Sequence, residues 1–226
     1  MKCLELANVT YRYDGSTEAV LTDINAVFEK GKVYTIIGQS GAGKSTLLSL
    51  ISGLDVCKEG EVYYNGKNLR QLNRDEYRAK SIGVIFQGYN LLLNSTAVYN
   101  ITLSMGISES AIKSRQAKKD AAYALLNKVG INRETADRKI LYLSGGEQQR
   151  VGIARALAHN PDVIIADEPT GNLDEATENA VLKILTRLAH KENKCVIIVT
   201  HSENVTAIAD EVLEIQAGQL AHGIKP

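Results

Sequence analysis

Long apolar runs are missing from this 226-residue chain. None approaches the roughly 18 residues needed to cross a bilayer, and the opening MKCLELANVT lacks a signal-peptide core. Any membrane role is expected to come through a partner. Cysteine is scarce too: Cys3, Cys57 and Cys195 are an odd set with neither CxxC nor CxxH spacing. That excludes a disulfide framework and a zinc signature, and it fits reduced thiols in the cytosol. Net charge is absent, because 26 Lys plus Arg offset 26 Asp plus Glu. No whole-chain field therefore draws in nucleic acid or an acidic membrane. Repeats, low-complexity tracts and Pro-rich linkers are also lacking.

What is present is an ordinary globular composition. Hydrophobic residues make up 44% and charged residues 23%, enough to bury a sizeable core. The length predicts one main core plus a smaller subdomain. Short β-rich runs alternate with helical patterns between Val33 and Glu214, the order that gives a parallel sheet covered by helices. Strands are predicted at Val33–Ile37, Gly83–Phe86, Val163–Ala166 and Val196–Thr200, with a last one near Val212–Ile215. Ahead of them, MKCLELANVTYRY and AVLTDINAVFEKG alternate apolar and polar residues, which predicts an antiparallel hairpin layer outside the parallel core. From Leu91 to Leu141 no β run is evident, and the segment reads as inserted helices. Ser108 is expected to cap a helix through Ile112, Ala122, Leu125, Leu126 and Val129 that ends at Gly130. Between Ile101 and Leu141 eight basic residues face four acidic ones, a net of +4 that reads as a solvated helix face.

Three strings carry chemistry. Gly38-Gln39-Ser40-Gly41-Ala42-Gly43-Lys44-Ser45 fits GxxxxGK[ST] between the strand VYTII and the helical run TLLSLISG. Its glycines let successive N–H groups turn toward an anion, Lys44 reaches β- and γ-phosphates, and Ser45 offers a hydroxyl to Mg²⁺. VIIADE ends a buried-strand run in Asp167 and Glu168, and Pro169 prevents continuation. The two acids thus lie at the carboxyl edge of a sheet, where Asp167 can hold a metal and Glu168 can polarise water. Leu143-Ser144-Gly145-Gly146-Glu147-Gln148-Gln149-Arg150 opens a helix. Ser144 and Glu147 have capping-box spacing, while the two glycines also allow a phosphate to approach the helix start.

Together these strings resemble the ATP-binding cassette (ABC) ATPases that drive membrane transporters, and the likeness spans nearly the whole chain. It implies an α/β P-loop NTPase (RecA-like) parallel-sheet core over residues 1–90 and 155–226 with an N-terminal antiparallel β layer. It also implies an inserted α-helical subdomain over 91–154. Further residues follow from the resemblance. Tyr13 resembles the aromatic that stacks on adenine, with Tyr11 as competitor. Thr46 completes the phosphate loop. Gln87 is similar to the Q-loop glutamine that touches Mg²⁺ and the water. Asp174 in GNLD resembles the D-loop aspartate that shapes the opposing subunit's site, although it is also a good N-cap. His201 in IVTHS resembles the switch histidine at the γ-phosphate.

The resemblance implies an ATP- and Mg²⁺-dependent ATPase. Two copies would sandwich ATP between one copy's P-loop and the other's Ser144-Gly145-Gly146 segment, with Glu147 beside it. Its expected partner is an integral-membrane permease, placing the chain peripherally on the cytoplasmic face. TGNLD and IGVIFQGYNLL look most like the lipoprotein-releasing, macrolide-efflux and cell-division branch. A non-transport signalling ATPase is the alternative, while soluble two-cassette proteins of translation or repair fit less well. Tyr99 stands where that branch commonly has an acid, and Cys57-Lys58-Glu59 replaces its Pro-containing turn. Both departures fall on the permease side rather than on a phosphate contact.

Overall fold

The computed structural model describes residues 1–108, 112 and 114–223. In chain order the strands are β1 (Lys2–Tyr11), β2 (Leu21–Glu29), β3 (Val33–Ile37), β4 (Glu59–Tyr64), β5 (Lys67–Asn68), β6 (Ile82–Ile85), β7 (Val163–Asp167), β8 (Cys195–Val199), β9 (Glu211–Gln216) and β10 (Gln219–His222). The α-helices are α1 (Lys44–Ile51), α2 (Arg74–Lys80), α3 (Ala97–Ile107), α4 (Arg115–Lys128), α5 (Arg133–Ala136), α6 (Gly145–Ala156), α7 (Glu175–His190) and α8 (Glu203–Ala207).

The alternating N-terminal segments pair antiparallel, with Leu6 opposite Ala26, as their pattern predicts. They belong to a four-stranded sheet of order β2-β1-β4-β5. The β4–β5 pair was not foreseen: β5 is two residues long and carries no alternation to read. The second sheet has the order β10-β9-β3-β8-β7-β6. Every neighbouring pair from β9 to β6 is parallel, and β10 joins β9 antiparallel. VYTII, VIIAD and CVIIV are nearly unbroken apolar runs because helices or the other sheet cover both faces of these strands. Period-two geometry divides them: Val163, Ile165, Cys195, Ile197 and Val199 enter the cluster under the antiparallel sheet and α1. Ile164, Ala166, Val196 and Ile198 enter the cluster shared with α3, α4, α6 and α7. Truncating one of these fully buried isoleucines to alanine costs about 2–5 kcal/mol.

The inserted helices are delimited by side-chain caps. Thr96 Oγ1 accepts from Tyr99 N at 3.2 Å and starts α3, and Ser114 accepts from Ala117 N and starts α4. Ser108 therefore does not begin the second helix as its sequence position predicts. It closes α3, buried, with its hydroxyl donating to Met105 O at 3.4 Å. The apolar run alone did not distinguish between two serines six residues apart. Gly130, at φ +80°, follows the end of α4 as expected. Among the described residues no helix is long and apolar enough to cross a membrane.

Candidate functional site

The phosphate-loop sequence needs backbone conformations that only glycine adopts cheaply. Gly38 sits at φ +152°, and a Cβ there would lie 2.5 Å from Ile215 O. Gly43, the N-cap of α1, has φ +107°, and a Cβ there would meet Leu21 Cδ2 at 2.7 Å. No side chain caps α1, so its leading N–H groups and positive dipole end remain available to an anion. Lys44 is buried beside them, its Nζ donating to Gly38 O at 2.6 Å and Gln39 O at 2.9 Å. Its ammonium is thereby held against the loop. Ala42 packs partly against the core, while Ser40, Gly41 and Ser45 are exposed on the cleft side.

Sheet order then sets the remaining groups side by side. Strands β3, β8, β7 and β6 are neighbours, and beyond their carboxyl ends lie the phosphate loop, His201, the Asp167–Glu168 pair and Gln87 respectively. All of them line one cleft of about 840 Å³, together with Tyr13, Val20, Thr46, Gly171, Val199 and Ser202. Burial holds the Asp167 carboxyl above its ordinary value, and the Glu168 charge adds to that, while Lys44 opposes it. Glu168 sits at φ +44°, a left-handed conformation that costs a non-glycine residue about 1–3 kcal/mol. Its N–H donates to Val199 O at 2.9 Å, and Thr200 Oγ1 donates to Glu168 Oε2 at 3.2 Å. Glu168 Oε1 is 3.7 Å from His201 Nε2. Neighbouring strand ends thus hold the second acid in a strained pose facing the cleft.

The two tyrosines separate. Tyr11 is buried, with its hydroxyl bonded to Asp55, and that bond plus burial push its pKa up to about 12. Tyr13 is 52% exposed at the cleft, edge-on to Tyr11 at 5.2 Å, and its hydroxyl lies 2.9 Å from Thr46 Oγ1. The available ring at the cleft is that of Tyr13.

Eight residues expected in the site do not line this cleft: Gly38, Gln39 and Ala42 within the phosphate loop, and Ser144, Gly145, Gly146, Glu147 and Asp174 from elsewhere in the chain. The capping box forms as its spacing predicts. Ser144 Oγ accepts from Glu147 N at 3.3 Å, and Glu147 Oε2 accepts from Ser144 N at 2.8 Å. Asp174 caps α7, accepting from Thr177 N at 3.0 Å and from Thr177 Oγ1 at 2.7 Å. The glycine pair has an intrachain cause that sequence reasoning did not supply. A Cβ on Gly146 would lie 2.3 Å from Thr177 Cγ2, and one on Gly145 would lie 3.2 Å from Tyr89 Oη. Ser202 lines the cleft and Thr200 bonds its acid without having been singled out, although both adjoin His201.

Residues 21–171 match the family model described as ABC transporter. Over 218 residues the chain is 45% identical to the ABC transporter ATP-binding protein YclH of Bacillus subtilis, covering 96% of this chain and 95% of that protein. It is 38% identical over 222 residues to the lipoprotein-releasing system ATP-binding protein LolD of Francisella tularensis, covering 96% and 95%. The fold superposes with a TM-score of 0.88 on a dimeric, post-hydrolysis structure of the Methanocaldococcus jannaschii cassette MJ0796 bound to ADP and Pi, at 34% identity over 99% of each chain. Strand order, a bare helix start behind a GxxxxGKS loop, and sequence similarity along almost the full length agree: the chain belongs to the ABC transporter family, as an ATP-binding subunit.

Proposed function

We propose that two copies of this chain enclose two ATP molecules, each held between the cleft of one copy and the Ser144–Glu147 segment of the other. One observation carries this reading: a single copy gathers Lys44, Gln87, Asp167, Glu168 and His201 in its cleft while Ser144, Gly145 and Gly146 lie outside it. Tyr13 stacks on the adenine through its exposed ring. Gly38 to Thr46 wrap the phosphates, with Lys44 Nζ transferring from loop carbonyls to phosphate oxygens. Glu168 orients the attacking water, Gln87 positions it, and His201 contacts the γ-phosphate. Asp174 shapes the partner's site in addition to capping its own helix.

The donor set also fits a magnesium ion. Asp167 is half-buried, with no cation beyond Lys44 among the charges acting on it. No cluster of three His, Cys, Asp or Glu occurs among the described residues, which suits a metal that takes few protein ligands and completes its shell with water and phosphate oxygens. Ser45, Gln87 and Asp167 would hold Mg²⁺, whose contribution is charge neutralisation at the phosphates.

Closure around ATP then does work on a membrane permease, which keeps the chain peripheral at the cytoplasmic face. The docking site lies where the helical subdomain, residues 91–154, meets the core. A groove of about 640 Å³ runs between α2, β6 and α3, with Leu54, Phe86, Leu92, Leu103 and Ile107 as apolar lining and Arg78 and Asp75 as polar rim. Such a groove takes a short amphipathic helix. Similarity to LolD supports a permease of the lipoprotein-releasing type.

Ser144→Arg tests the shared site. ATP affinity should stay within about threefold, while turnover falls by at least about a hundredfold, because the arginine blocks only the partner's nucleotide. Turnover surviving that change contradicts the reading.

A further inference from the structure

The first turn of α7 touches two separate parts of the chain through adjacent residues. On one side, the Thr177 methyl fills the space that a Cβ on Gly146 would need, at the start of α6. On the other, Glu178 gathers three donors, one from the turn after β7 and two from the start of α8. Thr170 Oγ1 and Ser202 Oγ donate to its Oε1, and Asn204 Nδ2 donates to its Oε2, each at 2.9 Å. Thr170 lies two residues after Glu168, and Ser202 directly follows His201 and lines the nucleotide cleft.

Ser202 makes this bond against local preference. It is the N-cap of α8, where a serine ordinarily accepts from a helix N–H, yet it makes no side-chain cap bond there. Its hydroxyl is directed to Glu178 instead. Burial acts to raise the Glu178 carboxyl, but the bonds from Asn204, Ser202 and Thr170 outweigh it and hold the group below its ordinary 4.5. The carboxylate is therefore charged at neutral pH and accepts all three donors.

We propose that Glu178 is a positioning residue for ATP hydrolysis: its carboxylate fastens the loop carrying His201 to the Thr170–Asp174 turn, on the same helix turn that abuts the start of α6. This rests on the roles given above to His201 and to the Ser144 segment, and it adds a route between them. A partner nucleotide that engages Ser144 and Asp174 bears on α7, and Glu178 passes the change to the placement of His201 in the same chain. Glu178 itself touches no substrate.

Steady-state ATPase kinetics on the full chain test this. Glu178→Ala should lower kcat about tenfold and leave KM within about twofold, since the phosphate loop is untouched. Glu178→Gln should fall between wild type and alanine, because its amide oxygen still accepts from Thr170 and Ser202. In a His201→Ala background, Glu178→Ala should cause no further loss of kcat. An unchanged kcat, or a loss that adds fully to that of His201→Ala, overturns the proposal while leaving the shared site standing. Wild-type turnover by His201→Ala would instead remove the role of the histidine and this inference with it. Should Glu178→Ala fold poorly, Thr170→Val and Ser202→Ala cut the same link from the other side and should reproduce the split between kcat and KM. A proportional rise in KM in those variants contradicts it.

Discussion

Two helix starts in this chain carry glycines, and they are finished in opposite ways. At α1 the N-cap is Gly43, no side chain caps the leading N–H groups, and the Lys44 ammonium sits on loop carbonyls. At α6 the capping box is complete, and Ser144 and Glu147 satisfy each other's backbone. An open end binds an anion by adding contacts, whereas a closed end binds one by exchanging them. Under the proposed shared site the difference divides labour: α1 is open to a phosphate in a single chain, while α6 is finished as a free surface and would exchange its cap for a nucleotide brought by a second chain.

Removing the ammonium breaks the open side and carries the largest effect. Lys44→Ala should weaken ATP binding by more than about a hundredfold in equilibrium titration, because among the described residues no other Lys or Arg lines the cleft. The closed side responds more mildly. Glu147→Ala removes half of the capping box and should cost about 1 kcal/mol of stability, seen as a small drop in Tm of the nucleotide-free chain. Loss of nucleotide binding in that variant would contradict the division. The smallest effect is a pH dependence at Glu178. Its carboxyl is depressed below 4.5, so its stabilising contribution is complete above that value and lost as pH falls through the lower folded-state value. Wild type and Glu178→Gln should therefore differ in Tm at pH 7 and converge in acid.

The parallel core and its motifs were legible because VYTII, VIIAD and CVIIV are apolar on both faces and each ends at a chemically distinctive residue. Residues 52–81 were not. Short β4, β5 and α2 are fixed by pairing with β1 and by Tyr77 Oη donating to Ile51 O at 2.8 Å, and no local periodicity encodes such contacts. The site was legible in the same uneven way. Spacing alone pointed to the phosphate loop and the acid pair, and the family resemblance supplied Gln87, His201 and Asp174. Glu178 escaped both, since its donors lie 8, 24 and 26 residues away along the chain. The glycines that open α6 were read as phosphate-driven, whereas Thr177 already crowds the Gly146 position inside one chain and Tyr89 crowds that of Gly145 more mildly.

Analytical ultracentrifugation of the Glu168→Gln chain with ATP and Mg²⁺ tests most directly whether two copies share each nucleotide. Slowed hydrolysis should preserve the bridging γ-phosphate, so the variant should sediment as a dimer that reverts to monomer when ADP replaces ATP. A species that remains monomeric at saturating ATP would contradict the account.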